Sequence, residues 1–303
     1  MAAISAEQVR QLREKTGAGM MDCKAALQET GGDPEAAVDW LRKKGLAAAA
    51  KRAGRQASEG LIGVQAEGRR GVMIELNSET DFVARNDEFQ ALVRAITERA
   101  FEEAAADGSK DPEALLSATV PATGRSVRDE ITQAVAKIGE NITLRRVAAV
   151  EVSEGVVGSY VHAALAPGLG KIGVIVALES AGATDELMRL GRQVAMHIAA
   201  ANPMALDSTG IDPAAVARER AIYADQARAT GKPESILDKI VDGRMRKFYE
   251  DVVLLEQAYV VEPDVRVKEV VARTAKEIGA PIEVTAFVRY ALDEAAPAAT
   301  EAS

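Results

Sequence analysis

The chain has 303 residues, with 37 Lys plus Arg against 46 Asp plus Glu and a formal net charge of −9. That acidity argues against a protein that coats nucleic acid through bulk charge, and a 48% hydrophobic content excludes wholesale disorder. A single cysteine, Cys23, excludes an intramolecular disulfide framework, and two histidines, His162 and His197, leave little material for a metal centre, so neither metal nor cofactor is expected.

Apolar runs such as Ile172 to Leu178 are too short to cross a bilayer, and the first residues lack a basic start and an apolar secretory core. The expectation is a soluble cytoplasmic chain of about two domains without membrane contact.

Residues 5 to 45 read as three short helices. Ser5 with Gln8 forms a capping-box pattern, Val9 and Leu12 share a face, and Gly17 stops the first helix. The second carries Met20, Met21 and Leu27 and ends at Gly31-Gly32. Asp33-Pro34 starts the third, Ala37, Trp40 and Leu41 line it, and Gly45 is expected to end it. Met20 and Met21 are adjacent and cannot both enter so small a core. Either one is buried and the other incidental, or the pair is a flexible apolar contact for a partner. Cys23 reads as a small buried apolar residue. Leu46 to Gly60, with Lys51, Arg52 and Arg55, reads as a short basic helix or a solvated linker, with contact to an acidic partner as a further reading.

The remainder repeats one order of elements. Leu61 to Ala66 and Val72 to Leu76 flank a turn, which suggests a hairpin. Phe89, Leu92, Val93, Ile96 and Ala100 then recur at helical spacing. Ser126 caps a second helix, with Val127, Ile131, Val135 and Ile138, that Gly139 stops, and a strand runs from Ile142 to Val152. The second copy has a hairpin of Val156 to Leu165 with Ile172 to Leu178, a helix with Leu187, Leu190, Val194 and Ile198, and a later helix from Val267 to Ile278. Gly279 stops that helix, and Ile282 to Tyr290 alternates as a strand. Each half is therefore expected to be a helix-covered antiparallel sheet of α+β type. Between them, Leu206 to Asp251 reads as an inserted antiparallel helical hairpin. The first helix carries Val216, Ile222, Tyr223 and Ala227 and the second Ile236, Leu237, Ile240, Val241 and Phe248, with a break at Gly231-Lys232-Pro233, and the hairpin either packs on the core or projects as an arm. The tail after Leu292 is expected to be disordered.

No nucleophile or metal set emerges. Gly168-Leu169-Gly170-Lys171-Ile172-Gly173 matches G-x-G-x-x-G, but a strand follows instead of the helix a dinucleotide site needs, so it reads as a turn. His162 ends a predicted strand beside that turn. His197 lies in a helix rich in Ala and Ile, where a satisfied, partly buried ring is the simple reading. These absences favour a binding protein over an enzyme. Between a strand and a helix lies Glu79-Thr80-Asp81-Phe82-Val83-Ala84-Arg85-Asn86. The residues alone put Phe82 in the core and leave Asp81, with Thr80, as a helix cap.

Longer matches change that weighing. Thr80 to Asn86, and Leu12-Arg13-Glu14-Lys15-Thr16-Gly17-Ala18-Gly19-Met20-Met21-Asp22-Cys23-Lys24-Ala25-Ala26-Leu27, closely resemble signatures of the bacterial elongation factor Ts family. Lys137 to Ile142, Ala195 to Ala200 and Gly243 to Phe248 look like its later motifs, in the family's order. The resemblance implies a ubiquitin-associated-like domain with linker over 1–54 and a core N-subdomain over 55–152. It implies a core C-subdomain over 153–205 and 252–292, a dimerisation-type hairpin over 206–251 and a tail over 293–303. It also implies guanine-nucleotide exchange on elongation factor Tu without bond-making chemistry. By that analogy Phe82 is a wedge, Asp81 disturbs Mg²⁺-side contacts, and Thr80 and Val83 complete the motif. Arg13, Met20, Met21, Lys24, Ile138, Gly139, His162, Val260 and Val261 would meet the partner. The hairpin would reach another partner domain or a second copy in a homodimer. The turn after His162 is longer than in some relatives. Direct contact with nucleic acid is not expected. The competing reading is a nucleic-acid module built on Lys43, Lys44, Lys51, Arg52 and Arg55.

Overall fold

The N-terminal helices begin where their caps dictate. Ser5 and Gln8 form a reciprocal capping box on α1 (Ala6–Thr16), and Gly17 closes it in the left-handed region with φ 68°. The computed structural model describes residues 4–107, 111–230, 233–292 and 294. After α2 (Met20–Glu29), the Asp33 carboxylate accepts from Glu35 and Ala36 N–H to start α3 (Pro34–Arg52). Val9, Leu12, Cys23, Ala26, Leu27 and Ala37 form a small core of their own.

Gly45 does not end α3. The helix runs through it because an alanine-rich stretch follows; a Cβ there would meet Ala136 Cβ at an ordinary 3.7 Å, so the packing against α7 does not demand a glycine. The stretch read as helix or linker is therefore helical to Arg52.

In chain order there follow β1 (Glu59–Glu67), β2 (Arg70–Ser78), α4 (Asp81–Ala84), α5 (Asp87–Asp107), α6 (Pro112–Ser117), β3 (Thr119–Val120) and β4 (Arg125–Ser126). Then come α7 (Val127–Ile138), β5 (Ile142–Glu151), β6 (Gly155–His162), β7 (Leu169–Gly170), β8 (Ile172–Glu179) and α8 (Thr184–Ala201). The hairpin helices α9 (Pro213–Ala229) and α10 (Glu234–Val252) precede α11 (Val267–Ile278) and β9 (Glu283–Ala291). The expected α+β architecture is present. α6 and the β3–β4 ladder were not foreseen; both are too short to show periodicity.

One sheet has the order β5-β2-β1-β7 and the other β6-β8-β9, and their long pairings are antiparallel. The halves correspond in detail. The β2–β5 register shifts between Glu75 and Leu76, and the β8–β9 register shifts between Ala177 and Leu178. Gly60 (φ 131°) pairs opposite Asn77, and Gly155 (φ 124°) opposite Glu179, each where the strand passes a backbone carbonyl too closely for a Cβ.

Strand alternation divides each sheet between two interfaces. Val72, Ile74 and Leu76 meet α5 and α7, while Met73 faces the second sheet. Val174, Val176 and Leu178 meet α8 and α11, while Ile175 and Ala177 face the first sheet. The result is four layers, helix–sheet–sheet–helix. β6 ends at His162 and not at Leu165. Ala163 turns with φ 50°, and the long turn runs back to add β7 to the edge of the first sheet, beside Ile62 and Gly63.

In the inserted hairpin, Ala227, Val241 and Met245 are buried between α9 and α10. Ile222 and Ile236, read among the apolar positions of these helices, are exposed, because neighbours at helical spacing already fill the seam. Gly231 and Lys232 of the expected break lie outside the described residues, as does the expected disordered tail except Glu294, whose carbonyl accepts from Arg145 Nη2 at 2.7 Å. Among the described residues no helix is long and apolar enough to cross a membrane.

Gly60→Ala and Gly155→Ala should each lower stability by about 1–3 kcal/mol. The added Cβ would come within 2.2 Å of Leu76 O or 2.1 Å of Leu178 O. Gly54→Ala, with open space around it and no left-handed backbone, is the control. Equal denaturation midpoints for all three variants would contradict this account of the strand starts.

Candidate functional site

Phe82 is 80% exposed on α4, a single helical turn at the end of β2. An aromatic ring this exposed on rigid backbone is unusual, since burial of such a ring is favourable by about 1.5–3 kcal/mol. The core placement expected from the residues alone is therefore wrong. Val83 and Ala84 take the core positions instead and fix the turn from below. Val83, 6% exposed, is a core residue beneath the Phe82 turn and not a surface one. Asp81 is partly exposed beside the ring.

The turn is held at both ends. Thr80 N–H and Oγ1–H donate to the two Glu140 carboxylate oxygens at 3.0 and 2.7 Å. This explains why Thr80 makes no side-chain cap to α4. Reciprocally, Glu79 Oε1 accepts from Asn141 N–H at 2.6 Å and from Arg55 Nη1 at 3.4 Å. Asn141 Nδ2 donates to Arg55 O at 2.8 Å, and Arg52 Nε donates to Gly139 O at 2.9 Å. Downstream, Asn86 Oδ1 accepts from Glu88 and Phe89 N–H and starts α5, while Gln90 donates to Ala84 O. Two acids four bonds deep in one knot thus tie the Phe82 turn to the end of α7 and to the chain leaving α3. Sequence reasoning missed Glu79, Glu140 and Asn141 as supports. Glu140 and Asn141 belong to a quoted motif, but their partners lie about sixty residues away in the chain.

Ile138 and Gly139 close α7 at this knot, with Gly139 at φ 89°. Met20 (57% exposed) and Met21 (75%) both stand out from α2, so neither is the core methionine that one reading allowed. Lys24 and Arg13 are exposed on the same small module. His162 is exposed at the end of β6, its Nδ1 3.4 Å from Tyr160 Oη. Val260 and Val261, 41% and 51% exposed, sit on the loop before α11. The arrangement gathers Phe82, Asp81, Ile138 and Gly139 through the knot; the methionines and the valines are carried on other parts of the chain.

Cys23 is buried as expected, and burial pushes its thiol pKa up. His197 is satisfied as expected but fully, not partly, buried, with Nε2 2.9 Å from Gln257 Oε1, and burial pushes its pKa down. Among the described residues no group of three His, Cys, Asp or Glu is placed to hold a metal ion. Of the basic set, Lys44 pairs with Asp22 at 2.6 Å, and Arg52 and Arg55 are committed to the knot.

Exposed aromatic and apolar side chains held on ordered backbone, as at Phe82, Met20, Met21, Val260 and Val261, are features of surfaces that bind other proteins. The family model described as Elongation factor TS matches residues 79–294. Elongation factor Ts of Rhodospirillum centenum is 57% identical over 300 residues, which cover 99% of this chain and 96% of that one. Elongation factor Ts of Paramagnetospirillum magneticum is 54% identical over 294 residues, 97% of this chain and 93% of the other. That of Agrobacterium fabrum is 57% identical over 294 residues, 97% and 94% of the two chains. The chain belongs to the elongation factor Ts family, a family of translation elongation factors.

Glu140→Gln should cost about 1–2 kcal/mol, the scale of a charge-assisted hydrogen bond lost in a protected site. Amide exchange at Thr80 and Phe82 should quicken while α8 amides keep their protection. Unchanged protection at Thr80 would show that the knot does not hold the turn.

Proposed function

We propose that this chain is a guanine-nucleotide exchange factor for elongation factor Tu: it binds the GDP-bound form, promotes release of GDP and lets GTP load. The observation that supports this reading best is Phe82, an exposed ring on a turn fixed at both ends. A GTPase holds its nucleotide through phosphate-binding backbone, a lysine and Mg²⁺. An exchange factor makes and breaks no bond. It binds the nucleotide-free partner better than the loaded one, and by linkage weakens nucleotide binding by the same factor. A ten-thousandfold population shift takes about 5.5 kcal/mol of differential binding.

Phe82 enters between helices of the partner's GTPase domain, and a ring that cannot swing aside makes the partner deform instead. Asp81 beside it perturbs the hydrogen bonding on the Mg²⁺ side. Ile138, Gly139 and His162 press near the phosphate-binding loop. Arg13, Met20, Met21 and Lys24 hold the GTPase domain from the N-terminal unit, 1–54, and Val260 with Val261 adds an apolar contact. The core subdomains, 55–152 and 153–205 with 252–292, carry these groups. The hairpin, 206–251, reaches another partner domain or a second copy. The nucleic-acid alternative is weakened by the internal engagement of Lys44, Arg52 and Arg55.

The test is release of a fluorescent GDP analogue from elongation factor Tu. Substoichiometric chain should accelerate release; binding without acceleration would refute exchange. Phe82→Ala should cut the saturating rate tenfold or more, about 1.4 kcal/mol per factor of ten, with a smaller change in affinity. Equal losses in both would sink the wedge. Met20→Ser with Met21→Ser should raise the half-saturating concentration about tenfold and leave the plateau rate intact. A lowered plateau with unchanged half-saturation would reverse that division of labour.

A further inference from the structure

His197 is a fully buried ring whose two nitrogens both face the chain that carries Val260 and Val261. Val260 N–H donates to His197 Nδ1 at 3.3 Å, so Nδ1 carries the lone pair. The ring proton therefore sits on Nε2 and donates to Gln257 Oε1 at 2.9 Å. Gln257 is itself oriented, because its Nε2 donates to Asp251 O at 2.8 Å and to Ala201 O at 3.3 Å. The loop closes on itself: Tyr259 N–H donates to Val265 O, Val265 N–H to Glu262 O, and Val267 N–H returns to Gln257 O. Tyr259 is buried with its ring centroid 5.8 Å from that of His197. The polypeptide from Gln257 to Val267 is thus a short closed loop, pinned to α8 through the His197 imidazole and the Gln257 amide, with Val260 and Val261 exposed at its tip.

The charged groups on the surrounding elements are engaged with one another. On α10, Glu250 pairs with Arg266 and Asp251 with Lys247. Glu256, on the turn after α10, pairs with Arg266 and Lys268, and Glu262 on the loop pairs with Arg273 of α11. Arg289 of β9 pairs with Glu294 and donates to Ala199 O. The phenol of Tyr259 is the remaining titratable group beside the ring. A second proton on the ring would have to go on Nδ1, where it would meet the Val260 N–H head-on.

We propose that His197 and Gln257 are positioning residues that hold the Val260–Val261 tip in its docking shape, and that a second proton on His197 releases it. This inference rests on the reading of Val260 and Val261 as partner contacts. The neutral ring is what the loop requires, so the held state is complete above the ordinary histidine pKa of about 6.5 and is lost as the pH falls below it. Burial, which lowers the folded-state pKa, moves the release further to the acid side.

Gln257→Glu places a carboxylate against Nε2–H. It keeps the hydrogen bond to the ring, gives up the two amide donations to Asp251 O and Ala201 O at every pH, and favours the doubly protonated imidazole, so the pH-dependent release should shift toward neutral pH. The experiment follows the His197 ring and the Val260 amide by NMR in the full-length chain, parent and Gln257→Glu, across the acid-to-neutral range. Affinity for elongation factor Tu is measured at each pH, and the parent-to-variant ratio cancels the partner's own titration. The expected result is one midpoint for ring and amide, raised in Gln257→Glu, with the variant binding roughly tenfold more weakly near pH ~6.5. A His197 ring that titrates without moving the Val260 amide overturns the clamp. An amide that follows the ring while the affinity ratio stays flat leaves the clamp intact and overturns the docking role of the tip. A variant that has lost its fold shows as collapsed amide dispersion. His197→Gln then serves in its place and should abolish the pH dependence at Val260; persistence of that dependence would also overturn the clamp.

Discussion

The contact between the two sheets governs what every other part of the chain can do. Because β1, β2 and β5 are covered by helices on one face and by the second sheet on the other, β2 is buried from Gly71 to Ser78. Antiparallel strands with one wet face alternate; these do not. Side-chain volume between the sheets is correspondingly restricted: a Cβ on Gly173 would lie 2.6 Å from Ile62 Cγ2, and one on Gly71 2.6 Å from Val157 Cγ1. Polar groups in this layer must find partners there.

Glu75 shows how that demand is met. It is fully buried, and it faces the layer where its counterpart in the second half is Ala177. The β2–β5 register shift inserts Arg145, so that two consecutive arginines reach one carboxylate, Arg145 Nη1 at 2.8 Å and Arg146 Nε at 2.5 Å. Asn77 supplies a third donor at 3.0 Å. Arg145 and Arg146 also donate to Glu294 O and Ala291 O, and Arg146 lies over Tyr290, whose phenol burial pushes up to about 12. One bulge therefore stitches the edge of the first sheet to the end of the second. A buried pair of this kind is weak evidence for net stability but costs several kcal/mol to break on one side, which makes it a device for fixing how the two sheets meet.

A scaffold tied in this way can hold apolar side chains out in water without letting them fold back. Phe82 is the sharpest case, because Val83 and Ala84 lock its turn from below while Glu140 and Glu79 lock it laterally. The Val260–Val261 tip uses the same principle with different chemistry, a buried imidazole in place of paired acids. In both, the exposed residue is specified by neighbours that never reach the surface. Arg52 and Arg55 extend the first network back to α3, so the helix that carries the N-terminal module ends on the support of the Phe82 turn.

Local rules carried the sequence a long way. Caps at Ser5, Asp33 and Ser126, glycine stops at Gly17, Gly139 and Gly279, and repeated hydrophobic spacing were enough to place most helices, both hairpins of the core and the duplication, because each is decided by interactions within a few residues. The family followed from the Thr80-to-Asn86 and Leu12-to-Leu27 motifs. Gly45 is a stop signal by local rules and a buried mid-helix residue in fact, because the alanine-rich stretch after it carries α3 on to Arg52. Tertiary contact decided the rest. Phe82 is a core residue by hydrophobicity and a surface residue in fact, because Val83 and Ala84 already fill the space beneath. The turn after His162 became an edge strand because β1 had an open side to pair with. Glu79, Glu140 and Gln257 took their roles from partners about sixty residues away, a separation over which hydrophobic periodicity and capping carry no information.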